Sequence, residues 1–190
     1  MFSDADMGGD IDGRRSTSGV LVFLSPAPIS WLSLKQKVVA LSSCEAEYVA
    51  AATAACQAMW LRRLLGELTG VEAHPPALMV DNQPAIALAM NLVLHDRSKH
   101  INVKFHFLRD CVDGGQIIIE FVEMGRQLVD VLTKPLGRLR LTELKEMIGM
   151  EGVQGIAVGL GKELLDNLLF PCVNTQQGKV ASKRLSTVVL

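Results

Sequence analysis

Four acidic residues in separate predicted elements are the strongest candidates for chemistry in this chain of 190 residues. Asp4 lies in or just after a strand near the start, and Glu47 lies in the first turns of a long helix. Asp81 ends a later strand, and Asp130 lies on a short helix among apolar residues. If they converge at the carboxyl end of a sheet, where α/β proteins bind ligands, their oxygens suit hard divalent cations such as Mg²⁺. Two such ions about 4 Å apart can activate a water molecule that attacks a phosphodiester, and they can stabilise the leaving oxygen. Spacing alone does not show convergence, and separate surface acids are the alternative.

The helix that carries Glu47 has the clearest local signals. Ser42 followed three residues later by Glu45 is a capping-box signature, and the alanine-rich segment over 44–68 favours a helix whose first half is buried. Glu45 and Glu47 are two residues apart and therefore point to different faces. We expect Glu45 to close the cap, which leaves Glu47 free for another role.

The other elements predict a mixed α/β domain. Three early strands form a meander, one later strand follows the long helix, and another follows two further helices. The predicted strands are 20–24, 29–32, 35–41, 77–80 and 117–122, and the further helices are 83–90, 103–112, 125–133 and 139–147. Composition changes after residue 149. We therefore predict one domain over 1–149 and an unassigned extension over 150–190 that is partly helical or disordered.

Composition limits the classes of function. Hydrophobic residues make up 49% of the chain, which is enough for a buried core. The 19 basic and 20 acidic residues give a net charge of −1, which argues against holding nucleic acid through a bulk positive field but permits local contacts. No segment predicts a membrane span or a signal peptide. We expect an intracellular protein, cytoplasmic or nuclear, with no membrane partner.

A series of short motifs occurs in order along the chain. They are Ser3-Asp4-Ala5-Asp6, Asp10-Ile11-Asp12-Gly13-Arg14-Arg15-Ser16-Thr17-Ser18-Gly19, Ile29-Ser30-Trp31, Lys35-Gln36-Lys37, Ala40-Leu41-Ser42-Ser43-Cys44-Glu45-Ala46-Glu47-Tyr48, Trp60-Leu61-Arg62, Asp81-Asn82-Gln83, Lys99-His100-Ile101 and Asp130-Val131-Leu132-Thr133-Lys134-Pro135. Over roughly residues 2–148 they resemble the ribonuclease H domain of the Pol polyprotein of copia-type (Pseudoviridae-like) retrotransposons, especially plant ones. The resemblance implies an isolated fragment with the RNase H-like fold, a five-stranded mixed sheet flanked by helices.

The resemblance also implies metal-dependent hydrolysis of the RNA strand of RNA–DNA hybrids. Asp4, Glu47, Asp81 and Asp130 match the catalytic acids of the family. Asp4 and Asp81 would hold or bridge two Mg²⁺ ions, for which Mn²⁺ could substitute. Glu47 would share one ion and position the water, and Asp130 would complete the second. The products would carry a 3′-hydroxyl and a 5′-phosphate.

Further residues are candidates for contacts with the hybrid. Arg14 and Arg15 flank the expected site and could contact phosphates, although surface solubility is an equal alternative. The remaining candidates are Asn82, Gln83, Lys99 and His100. The implied partners are the RNA–DNA hybrid and the reverse transcriptase portion of the parent polyprotein, which this chain does not contain.

The sequence departs from the family pattern at several positions. Met7 and Cys44 replace a tryptophan and a threonine, neither of which is a metal ligand. Only Met1 and Phe2 precede Ser3, so we expect a shortened first strand with fewer ladder hydrogen bonds. The loop before Asp130 lacks the histidine of cellular ribonucleases H.

These departures leave a second hypothesis open, namely an inert retroelement remnant or a nucleic-acid or protein binding module that keeps the fold.

Overall fold

A five-stranded mixed sheet organises the described part of the chain. The structure is a computed structural model that describes residues 1–90 and 102–150. The strands are β1 (Phe2–Ala5), β2 (Thr17–Leu24), β3 (Ala27–Lys35), β4 (Ala77–Val80) and β5 (Ile118–Phe121), in the spatial order β3-β2-β1-β4-β5. The pairs β1–β2 and β2–β3 are antiparallel, whereas β4 runs parallel to both β1 and β5. Lys99, His100 and the predicted extension beyond residue 150 lie outside the described residues.

Helices pack on both faces of this sheet. They are α1 (Ser43–Thr69), α2 (Gln83–Met90), α3 (Asn102–Asp113), α4 (Asp130–Thr133) and α5 (Arg138–Ile148). On one face, Tyr48 of α1 and Leu108 of α3 pack with Leu78 of β4. On the other face, Val129 and Leu144 pack with Leu21 of β2. The predicted RNase H-like fold, with an antiparallel meander and parallel strands between helices, is confirmed.

The meander differs from the predicted one in its strands. The strand predicted over 35–41 is wrong, because β3 ends at Lys35 and the meander consists of β1, β2 and β3. The Gln36 backbone N–H donates to the Ser16 carbonyl oxygen at 2.7 Å, and the buried Gln36 amide donates to Ser18 Oγ and to the Ala46 carbonyl oxygen, both at 2.9 Å. The backbone bond holds the end of β3 beside β2, and the side-chain bonds join it to β2 and α1.

The helix predicted over 125–133 is interrupted. A 3₁₀ turn occupies Met124–Arg126, Gln127 has an extended backbone, and α4 begins only at Asp130. The interruption places the Gln127 side chain against β1, where its amide donates to the Ser3 carbonyl oxygen at 2.9 Å. The bond between Gln127 and Ser3, which are distant in the sequence, is made where the predicted helix would have continued.

Both ends of α1 are capped, and Ser42 caps the start as predicted. Ser42 Oγ accepts from the Glu45 N–H at 3.2 Å, and Glu45 Oε2 accepts from the Leu41 N–H at 2.8 Å. Gly70 ends the helix in the left-handed region with φ of 68°. Glu45 therefore supports the start of the helix, but it accepts from the Leu41 N–H, one residue before the Ser42 N–H that a capping box uses. None of the described helices is long and apolar enough to cross a membrane.

Substitution of the cap serine tests the start of α1. We expect Ser42→Ala to lower the free energy of unfolding by about 1 kcal/mol, because the Glu45 N–H loses its acceptor. Urea denaturation measures this change. Ser43→Ala is the matched control, since Ser43 is an exposed first residue of the same helix. Equal losses in the two variants would contradict the cap assignment.

Candidate metal centre

Three of the four predicted acids converge at one edge of the sheet. Asp4 lies on β1, Glu47 lies in the first turns of α1, and Asp81 directly follows β4. One carboxylate oxygen from each lies within 4.8 Å of the other two. The strands β1 and β4 are parallel neighbours, so their carboxyl ends meet at this edge. The structure therefore assembles a cluster of oxygen ligands from three separate elements.

Glu47 is the most deeply constrained member of the cluster. Its Oε1 accepts from the Ala5 N–H at 3.1 Å, while its buried Oε2 accepts no hydrogen bond within the described residues. Burial, followed by the negative charges of Asp4 and Asp81, raises the pKa of Glu47 to about 9. Without a cation, Glu47 therefore holds a proton near neutral pH.

Asp81 experiences the same repulsion more weakly. Burial raises the pKa of Asp81 first, and the charge of Asp4 adds to this effect. A positive ion among the three carboxylates would oppose both causes. Carboxylate oxygens without neighbouring sulfur or nitrogen ligands suit a hard divalent cation, and the unbonded Glu47 Oε2 offers a ready ligand. The three acids therefore fit a metal centre.

Asp130 reaches this centre through a lysine rather than directly. Lys134 Nζ lies 2.6 Å from Asp130 Oδ1 and 3.1 Å from Asp4 Oδ1. Thr133 Oγ1 donates to the other oxygen of Asp4. Burial alone would lower the pKa of Lys134, but the hydrogen bond to Asp130 and the charge of Asp4 outweigh it and raise that pKa.

Sequence reasoning missed Thr133 and Lys134 as members of the site. Both belong to a motif that was recognised only for its aspartate. The four-residue spacing of Asp130 and Lys134 favours an ion pair on one helical turn, so this pair could have been found. The contact of Lys134 with Asp4 could not, because it joins residues 130 positions apart.

Gln127 is a second residue that the sequence did not identify. Its side chain is fully buried and donates to the Ser3 carbonyl oxygen, and it opposes the rise in the pKa of Asp81 that burial causes. It thus joins the loop before α4 to β1. The available signal was a polar residue directly before the apolar pair Leu128-Val129, three positions ahead of Asp130.

Two predicted hybrid contacts lie in the loop between β1 and β2. Arg14 is exposed and has a left-handed backbone with φ of 53°. Arg15 Nε lies 3.5 Å from Asp10 Oδ2, and Lys35 Nζ lies 2.9 Å from Asp10 Oδ1. The hydrogen bond from Lys35 lowers the pKa of Asp10, so this carboxylate offsets part of the local positive charge.

The other described candidates lie at the start of α2. Asn82 Oδ1 accepts from the Ala85 N–H at 2.9 Å and therefore caps this helix. Gln83 is exposed as its first residue. The structure thus gives Asn82 a structural role beside Asp81, while Gln83 has a side chain accessible to a ligand.

Gly19 sets how closely α4 approaches the sheet. It pairs with Asp4 across β1 and β2. A Cβ atom at this position would lie 2.4 Å from Val129 Cγ1 and 2.7 Å from Thr133 Cγ2. Only glycine therefore leaves room for the segment that brings Thr133, Lys134 and Asp130 towards Asp4.

The fold and the acidic centre define an RNase H-like α/β protein with a candidate divalent-cation site, and similar sequences indicate its origin. The chain is 43% identical over 149 residues to the retrovirus-related Pol polyprotein from transposon RE2 of Arabidopsis thaliana. It is 42% identical over 152 residues to that from transposon RE1 of the same plant, and 41% identical over 149 residues to that from transposon TNT 1-94 of Nicotiana tabacum.

These similarities cover most of this chain but little of each relative. They include 78–80% of the chain, which spans only about a tenth of the length of each polyprotein. No family model and no solved structure matches the chain. The similarity supports an origin as a portion of a plant-type retrotransposon Pol polyprotein.

Substitution of Gly19 tests the packing of α4. We expect Gly19→Ala to lower the free energy of unfolding by about 1–3 kcal/mol, because the added methyl group overpacks the contact with Val129 and Thr133. Urea denaturation measures the loss. Gly125→Ala is the control, since a Cβ there meets no atom within 4 Å. A Gly19→Ala protein as stable as the control would contradict this packing role.

The raised pKa of Glu47 predicts a specific pH dependence of stability. The ordinary pKa is 4.5 and the folded value is about 9, so the folded state holds a proton that the unfolded chain has lost between these values. Stability without metal should therefore fall as pH rises through this window. Glu47→Gln should make the fall shallower, and the raised pKa of Asp81 accounts for a remaining slope.

Urea denaturation in a chelator at about pH 5, 7 and 9 measures this slope. Glu67→Gln provides the control, because Glu67 is an exposed acid on the same helix. The control should keep the wild-type slope. A Glu47→Gln slope as steep as that of the wild type would rule out Glu47 as its source.

Proposed function

We propose that this chain is the ribonuclease H portion of a retrotransposon Pol polyprotein and that it hydrolyses the RNA strand of RNA–DNA hybrids with Mg²⁺. The observation that carries the proposal is the convergence of Asp4, Glu47 and Asp81 at one sheet edge. The sequence similarity to plant Pol polyproteins supports it independently. The motif resemblance selects the ribonuclease H portion among the parts of such a polyprotein.

The roles of the acids follow from their positions. Asp4 faces both the Glu47–Asp81 side and the Asp130 side of the centre, so it would serve both ions. Glu47 and Asp81 would complete one ion, and Asp130 would complete the other. Bound Mg²⁺ supplies a water activated at neutral pH and stabilises charge on the leaving oxygen. Mn²⁺ would substitute because it takes the same oxygen ligands.

The protein itself contributes position and charge. The Ala5 N–H fixes one oxygen of Glu47, so the other oxygen is left to bind an ion or orient a water. The Gln127 amide holds the loop before α4 against β1 through its bond to the Ser3 carbonyl oxygen. Water would attack the phosphorus atom and the bond to the 3′ oxygen would break, which leaves a 3′-hydroxyl and a 5′-phosphate.

Binding of the hybrid would depend on local contacts rather than on net charge. The chain carries a formal charge of −1, so phosphates would be held by individual side chains such as Arg14, Arg15 and Gln83. Lys99 and His100 remain candidates for the same role. We further propose that residues 1–149 form the catalytic domain and that the reverse transcriptase portion of the parent polyprotein presents the hybrid to it.

Cleavage of a labelled hybrid tests the proposal directly. We expect the purified chain to cut the RNA strand only with Mg²⁺ or Mn²⁺, and Asp81→Asn to reduce the rate by about 100-fold or more, since bound metal supplies several kcal/mol of transition-state stabilisation. Removal of a repelling charge should leave the variant folded. Asp113→Asn is the control, because Asp113 is an exposed aspartate at the end of α3.

The competing hypothesis gives a different result. An inert remnant or a binding module would fold and could retain the hybrid, yet it would leave the RNA intact at every metal concentration. Circular dichroism of the same samples separates this outcome from misfolding. Cleavage that Asp81→Asn does not reduce would place the activity outside the acidic centre.

A further inference from the structure

A lysine occupies the space between two of the acids assigned to metal ions. Lys134 Nζ lies 3.1 Å from Asp4 Oδ1 and 2.6 Å from Asp130 Oδ1. Lys134 follows the last residue of α4, and its side chain is 38% exposed. Its ammonium group is therefore shared by a β1 carboxylate and an α4 carboxylate, and it retains a route to solvent.

Asp4 depends on this lysine for its positive partner. The Asp4 side chain has no exposed surface, and its second oxygen is bonded to the neutral hydroxyl of Thr133. A buried carboxylate without a partner destabilises the folded state. Among the described residues, Lys134 is the basic side chain that forms an ion pair with Asp4.

The two sides of the centre consequently differ in charge balance. On one side, Glu47 and Asp81 share Asp4 without an ion pair of their own within the described residues. On the other side, the Lys134 ammonium group already binds Asp4 and Asp130. A divalent cation could enter the first side directly, whereas the second side would first have to lose its ammonium group.

We propose that Lys134 is a built-in counter-ion that holds the second cation position in the metal-free protein and leaves it when a divalent cation binds between Asp4 and Asp130. This inference rests on the proposed function, because it takes Asp4 and Asp130 as ligands of one ion. Lys134 thereby stabilises the metal-free fold and lowers the affinity of the second cation position relative to that of the first. Its removal should therefore destabilise the metal-free protein but strengthen binding of the second ion.

Calorimetric titration with Mn²⁺ and thermal unfolding in a chelator test both effects. We expect Lys134→Gln to lower the melting temperature of the metal-free protein and to tighten the weaker Mn²⁺ site by about tenfold, a typical size for coupled equilibria. Lys134→Arg should restore both properties because it keeps the charge. Lys145→Gln, on α5, should change neither.

A purely structural lysine would give another pattern. Its removal would lower the melting temperature and would weaken Mn²⁺ binding or leave it unchanged, and that result would overturn the proposal. If Asp81 is still required for hybrid cleavage in that case, the proposed function stands without this inference. If the wild type neither binds Mn²⁺ nor cleaves the hybrid, the proposed function itself fails.

Lysine labelling of the wild-type protein tests the displacement even if Lys134→Gln does not fold. Acetylation by an activated ester, read by mass spectrometry, should modify Lys134 faster in saturating Mn²⁺ than in a chelator, because the displaced amine reaches solvent. Lys145 serves as the internal reference. A Lys134 labelling rate that Mn²⁺ leaves unchanged relative to Lys145 would overturn the proposal.

Discussion

The main physical constraint on this structure is the repulsion among the carboxylates that the fold places together at one edge of the sheet. The other features of the centre compensate for this repulsion. Asp4 is fully buried, and Glu47 and Asp81 each direct an oxygen towards it. Their charges cannot all persist in such surroundings without a cation or a proton. On one side of the centre, the ammonium group of Lys134 neutralises part of the negative charge. On the other side, the pKa of Glu47 is raised to about 9, so its carboxyl group keeps a proton and carries no charge near neutral pH.

Small residues decide how close these charges come. Ala46 and Ala50 of α1 pack against Ala5 of β1, so the helix lies near the strand and Glu47 reaches the Ala5 N–H. On the opposite face, Gly19 lets α4 approach the same strand. Larger side chains at these positions would move the helices outward and separate the acids. The close packing of small residues in the core therefore sets the distances between the acids of the centre.

This constraint bears on the choice between a nuclease and an inert module. A fold alone does not define a function, and a module that only binds nucleic acid gains nothing from repelling carboxylates in its interior. Buried acids of this kind lower stability unless a ligand compensates for them. The unbonded oxygen of Glu47 and the surrounding acids are features that a bound cation would use. They support a metal centre as the reason for the arrangement, and the proposed nuclease requires such a centre.

The sequence by itself predicted several local elements correctly, and its motifs named four candidate acids, of which the structure brings Asp4, Glu47 and Asp81 together. The Ser42 cap, the alanine-rich helix, β4 and α2 follow from signals within a few residues, and the ordered motifs single out Asp4, Glu47, Asp81 and Asp130. Only the tertiary structure decided that β3 ends at Lys35 and that the helix predicted over 125–133 breaks at Gln127. It also decided that Lys134 binds Asp4. The physical reason is that these features arise from bonds between distant residues, such as Gln127 with Ser3 and Lys134 with Asp4, which local propensity and spacing do not encode.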